Sequence, residues 1–216
     1  MRVIPPLLTL ITDTGRYSGE PFFAACDQAL ANGVDAILVR EKELTSARLL
    51  ALASRLRDIT RSHQARLIIH TQADIAAAVD ADGVHVASGD IAMIPAIRSW
   101  LNHPGMSISA SCHNAEELAQ ARQTGADFAM LAPVFPTGSH PGAASLGVKA
   151  FRRLAAQVDM PVIALGGITT DNHQQLAFTN LAVISAILGA EHVGQAARQL
   201  SCGRKQSVSA DAAPLL

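Results

Sequence analysis

Eight short apolar runs, at positions 7–12, 36–41, 66–71, 83–88, 106–111, 128–134, 161–167 and 181–187, punctuate the chain at a nearly regular spacing. A short run that is apolar on both faces suits a strand covered by helices on both sides, as in parallel sheets. Between the runs, apolar residues recur at helical spacing. Segment 45–62 is the clearest, with Leu49, Leu50, Leu52, Leu56 and Ile59 recurring on one side. Strand and helix in alternation mean parallel strands joined by crossover helices. Eight such units in a chain of 216 residues predict an α/β fold, a single (β/α)8 TIM barrel with few insertions. A doubly wound open sheet is the alternative, and it rarely needs eight strands so evenly spaced.

The turns support that count. Asp82-Gly83 and Gly125-Ala126-Asp127 stand where the chain must leave a helix and enter the fourth and sixth strands. Asn114 followed by Glu117 is a capping-box arrangement directly after the fifth strand. The longest loop, 135–146, is rich in Gly, Ser and Pro, and its place after strand six marks it as a lid or binding loop.

The chain is 49% hydrophobic and 16% charged, enough for one sizeable core, so residues 1–200 are expected to form the barrel. Residues 201–216 lose periodicity, and a disordered tail is expected there. A net charge of −1 advertises neither a nucleic-acid nor an anionic-membrane partner. The apolar start contains Pro5-Pro6 and no small-residue cleavage site, so it reads as a lead-in to the first strand. Cys26, Cys112 and Cys202 are odd in number and scattered, which suits a reducing cytoplasm better than a disulfide framework.

In a barrel of this kind, chemistry gathers at the C-terminal ends of the strands. The seventh run ends in Gly166-Gly167, where a ligand can approach the backbone closely, and the eighth contains Ile184-Ser185. The loops after strands 7 and 8 commonly form a phosphate site from backbone N–H groups, which makes these four residues its candidates. Arg40 and Lys42, two apart on one strand, face the same way and can grip one anion unless Glu41 and Glu43 answer them. His70, His85, His113 and His140 form no short ligand pair, so zinc is not expected. His85, inside a strand, reads as a satisfied core histidine. His113, at a strand end before a capped helix, reads as a proton shuttle or as a histidine tied into the loop.

The segments LVREK (38–42), ADGVHVASGD (81–90), SCHNAEELAQARQTGADFAML (111–131), PVFPTGSHPGAASLG (133–147), PVIALGGIT (161–169) and AVISAI (182–187) resemble thiamine phosphate synthase and its relative, the thiazole tautomerase TenI. Two of them also resemble the divergent branch fused to Nudix hydrolases, which implies such a hydrolase as a partner. The resemblance implies that Gly166, Gly167, Ile184 and Ser185, with Thr137, hold the phosphate of a thiazole phosphate. It implies that Arg40 and Lys42 bind the diphosphate of a pyrimidine diphosphate, that Asp90 ligates Mg2+, and that Ser111 and His113 are the strand-five catalytic pair.

The departures from the family pattern fall on one side of the site. Leu38 stands where the family has a pyrimidine-reading glutamine, His70-Thr71 where it has an asparagine–aspartate pair, and His140 where it has a lysine. Replacing a carboxylate with Thr71 weakens a Mg2+ site, and histidine carries little positive charge at neutral pH. Three functions therefore remain open: a divergent synthase, a TenI-like isomerase, and a non-catalytic binder of thiazole or thiamin phosphate.

Overall fold

The computed structural model describes residues 3–17, 19–138 and 144–202. Eight parallel strands close into a barrel: β1 (Leu8–Ile11), β2 (Ala36–Val39), β3 (Arg66–His70), β4 (Gly83–Val86), β5 (Ser107–Cys112), β6 (Phe128–Leu131), β7 (Val162–Leu165) and β8 (Leu181–Val183). Each pairs with its sequence neighbours, and β8 closes on β1 with Leu8 opposite Leu181 and Leu10 opposite Val183. Around them lie α1 (Glu20–Ala31), α2 (Ser46–Ser62), α3 (Ala73–Ala78), α4 (Ile94–Leu101), α5 (Ala115–Gln123), α6 (Gly147–Ala155), α7 (Ser185–Leu188) and α8 (Val193–Ser201). All eight apolar runs contain a strand. The helix expected over 45–62 is α2, with Thr45 as its N-cap residue.

Four details differ from the sequence pattern. The buried stripe of α2 is Leu49, Ala53, Leu56 and Thr60, and Leu50, about 100° round the helix, is exposed. The eighth run overshoots its strand, because Ser185 already opens α7. Ser201 is still helical, so the barrel's last helix extends one residue past the expected boundary. Between β7 and β8 the described chain forms only a 3-10 turn, His173–Leu176. Local side-chain bonds compete with a helix there: Asn172 Oδ1 accepts the Thr169 N–H at 2.8 Å, and Thr169 Oγ1 accepts the Asn172 N–H at 3.3 Å.

The alternation of each strand divides the core in two. One set of side chains packs outward beneath the helices, among them Leu10, Ile37, Ile69, Val84, Ile108 and Leu131. The other fills the barrel interior with Ile11, Ala36, Leu38, Ile68, Phe128, Met130, Ile163 and Ala182. The interior is therefore a packed core, and open space is left only above it, at the strand ends.

At the opposite end, an aspartate stands just before each of β2, β4 and β6 and ties that strand to the one before. Asp35 accepts the N–H groups of Leu7 and Leu8, both at 2.9 Å. Asp82 accepts the Leu67 N–H at 2.8 Å, and Asp127 the Ile108 N–H at 2.7 Å. Asp82 and Asp127 also each hold an arginine from the helical layer, Arg57 at 2.5 Å and Arg98 at 2.9 Å. Arg57 is nearly buried, so removing its partner strands a cation in the protein. Asp82→Ala should therefore lower stability by about 2–4 kcal/mol, read as a reduced urea midpoint, whereas Arg61→Ala, which breaks an exposed pair with Asp80, should leave the midpoint nearly unchanged.

Candidate active site

A cavity of about 620 Å³ opens at the C-terminal ends of the strands. Its apolar floor comes from the last inward-facing residues of the strands, including Ile11, Leu38, Met130 and Leu165. The polar wall comes from β3, β4 and β5 as His70, His85 and Ser111, and the rim carries Arg40, Lys42, His113 and Thr137. Gly166, Gly167, Ile184 and Ser185 complete it on the far side of the ring. Of the residues singled out in the sequence, Thr71 and Asp90 do not line this cavity, although Asp90 acts electrostatically on His70. His140 lies outside the described residues, as does the middle of the expected lid loop.

Arg40 and Lys42 are not answered by their acidic neighbours. The Glu41 carboxylate is occupied by Thr14, whose N–H donates at 3.1 Å and whose hydroxyl donates at 2.7 Å. Neither cation makes an ion pair with the described residues. The Arg40 N–H is fixed by Thr12 Oγ1 at 2.9 Å, so the backbone that carries the guanidinium is held while its charge stays available.

Both glycines after β7 have left-handed backbones, with φ of 95° at Gly166 and 65° at Gly167. The space they save belongs mainly to the neighbouring loop. A Cβ on Gly166 would stand 2.7 Å from Pro133, and one on Gly167 2.3 Å from the Pro136 carbonyl. Close backbone packing thus fixes the loop after β6, with Thr137 on it, against the loop after β7. The Phe135 N–H donates to the Gly166 carbonyl at 3.0 Å across the same contact. The N–H groups of Gly166, Gly167, Ile184 and Ser185 donate to no acceptor among the described residues. Ser185 opens a helix, where unpaired N–H groups are expected.

The histidines divide by environment. His113 Nδ1 lies 2.9 Å from the Ala132 carbonyl, so Nδ1 carries a proton and donates it there. The capping box beneath it is real but shifted. Asn114 Oδ1 accepts the Glu117 N–H at 2.9 Å, while the Glu117 carboxylate takes the N–H of His113 at 2.6 Å. Burial, then Arg40 and Lys42, press the His70 pKa down to about 4, against a smaller upward pull from Asp90. Burial, with His70 and Arg40, presses His85 down to about 3. His85 is the satisfied buried histidine expected from the sequence, bonded at both nitrogens, yet it also borders the cavity. Its double role was invisible because the inward direction of a side chain in so short a strand depends on register. Burial and Glu117 lift the Cys112 thiol to about 12, so it is no nucleophile at neutral pH.

Thr71 adopts φ of 63°, unusual for a β-branched residue. Its N–H is held by the His85 carbonyl at 2.9 Å, and its hydroxyl lies 2.9 Å from His70 Nδ1.

Fold and cavity together define the class: a TIM-barrel protein whose strand ends gather, around one cavity, cations and backbone N–H groups that have no partner among the described residues. The chain belongs to the thiamine monophosphate synthase family, whose model matches residues 8–189. It is 39% identical over 164 residues to a putative thiamine-phosphate synthase 2 of Aquifex aeolicus, covering 76% of this chain and 86% of that one. It is 35% identical to the thiamine-phosphate synthase of Chloroflexus aurantiacus over 89% of this chain and 90% of that one. The solved thiamine phosphate pyrophosphorylase of Pyrococcus furiosus superposes with a TM-score of 0.81 at 32% identity, covering 92% of this chain and 95% of that one.

The histidine environments set a pH dependence of stability. A histidine with a depressed folded pKa binds fewer protons folded than unfolded between that pKa and about 6.5, so stability rises with pH in this window. The contribution is complete above about 6.5 and is lost as pH falls toward about 4 for His70 and about 3 for His85. Urea midpoints should decline from pH 7 to pH 4, and the decline should be shallower in His70→Asn, which has no titrating ring.

Proposed function

We propose that this protein couples a hydroxymethylpyrimidine diphosphate to a thiazole phosphate with release of diphosphate. One observation carries the reading: a single cavity holds two separate kinds of anion-binding group, the unpaired cations Arg40 and Lys42 and the free N–H groups of Gly166, Gly167, Ile184 and Ser185. A coupling reaction between two phosphorylated substrates needs both, whereas an isomerase of one phosphate ester needs only the second. The names of the relatives agree with the first.

In this reading the backbone N–H groups seat the thiazole phosphate, and the apolar floor of Ile11, Leu38, Met130 and Leu165 carries the rings. Arg40 and Lys42 face the charge that develops on the leaving diphosphate as its carbon–oxygen bond breaks and the bond to the thiazole forms. Neutral His70 contributes a dipole there instead of a charge. Among the described residues no three His, Cys, Asp or Glu side chains cluster to hold a metal. Mg2+ is commonly bound by one or two carboxylates plus substrate phosphates, so Asp90 with diphosphate oxygens would hold it, supplying charge neutralisation. Leu38, His70 and Thr71 make the diphosphate side leaner than the family pattern, consistent with a slow or altered coupling reaction. His113, an acid–base side chain on the cavity rim, supports a second reading as a thiazole tautomerase.

Steady-state assays with both substrates, and with a thiazole carboxylate phosphate alone, separate the two readings. Coupling that requires both substrates is expected; turnover of the thiazole alone, with no coupling, would establish the isomerase instead. The Leu38→Gln/His70→Asn/Thr71→Asp variant should couple faster than wild type, since Thr71→Asp supplies a carboxylate and also suits the left-handed backbone better than threonine. In titrations with thiazole phosphate, Ser185→Ala should bind within about twofold of wild type, because main-chain donors do the work. Gly167→Val should abolish binding by displacing the Pro136 loop.

A further inference from the structure

Ser109 lies one layer beneath the cavity, fully buried on β5 and outside the set of groups that meet a ligand. Its Oγ is 2.8 Å from Nδ1 of His85, and the other ring nitrogen, Nε2, is 2.9 Å from Oγ of Ser111 at the cavity wall. Three side chains from two adjacent strands thus form one line, Ser109–His85–Ser111. The register that sets His85 opposite Ser109 builds it.

Proton counting shows two ways to fill this line. The ring is 2% exposed and neutral, so it carries one N–H and one lone pair. In the first arrangement Nδ1–H donates to Ser109, Nε2 accepts the Ser111 hydroxyl proton, and Ser111 shows only lone pairs to the cavity. Ser109 must then send its own proton to the Val84 carbonyl, which is 3.4 Å away and beyond the usual O–H···O range. In the second, the Ser109 hydroxyl donates to Nδ1 at 2.8 Å, Nε2–H donates to Ser111 at 2.9 Å, and the Ser111 hydroxyl proton is left for the cavity. Every bond in the second arrangement has normal length, and no buried proton is left with a poor partner.

We propose that Ser109 is a positioning residue that locks His85 in its Nε2–H form and thereby makes Ser111 a hydrogen-bond donor to the substrate. The role rests on the reading that Ser111 meets substrate in this cavity. It predicts that Ser111 can donate to an acceptor on the ligand, such as an unprotonated ring nitrogen or a phosphate oxygen, a bond that the other tautomer would not allow because it takes the Ser111 proton for Nε2.

The tautomer is read directly by nitrogen NMR of the ligand-free protein labelled at histidine, with His85→Gln identifying the signal. The wild type should show a protonated Nε2 and an unprotonated Nδ1 for His85. A protonated Nδ1 would overturn the proposal, whatever the enzyme turns over. Ser109→Ala should give a mixed or reversed tautomer signal, and Ser109→Thr, which keeps the hydroxyl, should restore the wild-type one. In the coupling assay Ser109→Ala should lower kcat/KM by roughly tenfold, with Ser109→Thr recovering most of it. Adding Ser109→Ala to Ser111→Ala should cost nothing further. An equal additional loss in the Ser111→Ala background would show that Ser109 acts on stability alone and would sink the positioning role. Should no coupling occur in the wild type, the proposed reaction fails while the NMR result still decides the tautomer.

Discussion

Closure of the sheet is the constraint on which everything else in this molecule depends. β8 has only three residues, yet its pairing with β1 brings the two ends of the sheet together. That closure places Ile184 and Ser185 beside the first strand and across one cavity from Arg40. In an open sheet the same residues would lie at distant edges, with unpaired strands exposed. The aspartates at the bottom of the barrel reinforce closure by joining β1 to β2, β3 to β4 and β5 to β6. They lie at the end away from the cavity, so these three ties and the chemical end are separated.

The cavity combines two physical regimes. On one side the backbone supplies dipoles at the loops after β7 and β8, held in place by close loop packing at Gly166 and Gly167. On the other, Arg40 and Lys42 supply full charges without counterions among the described residues, and those charges reach the neighbouring histidines. His70 remains neutral because burial, Arg40 and Lys42 act in the same direction, and His85 because burial, His70 and Arg40 do. A neutral histidine at such a place leaves the cationic field undiluted and adds no third charge.

Membership of the thiamine monophosphate synthase family and the two anion-handling sides of the cavity point the same way. Thr71 contacts His70, and His70 stands 6.0 Å from His85 between ring centres, so the three are coupled through space, and the effects of changing them on catalysis should not add independently.

Local pattern in the sequence determined the strands, their parallel arrangement, the barrel and the strand ends at which the cavity lies. Strand periodicity and the rule that strand ends carry chemistry are local, so Arg40, His113, Gly167 and Ser185 could be named before any contact was seen. Tertiary structure alone decided what those residues face. It showed that Glu41 serves Thr14 and leaves Arg40 unpaired, and that the double glycine makes room for a neighbouring loop. It also put His85 between Ser109 and Ser111. Those outcomes depend on register and loop packing between segments as far apart in the chain as Pro133 and Gly166, and no short window of sequence encodes which side chain a strand will find on its neighbour.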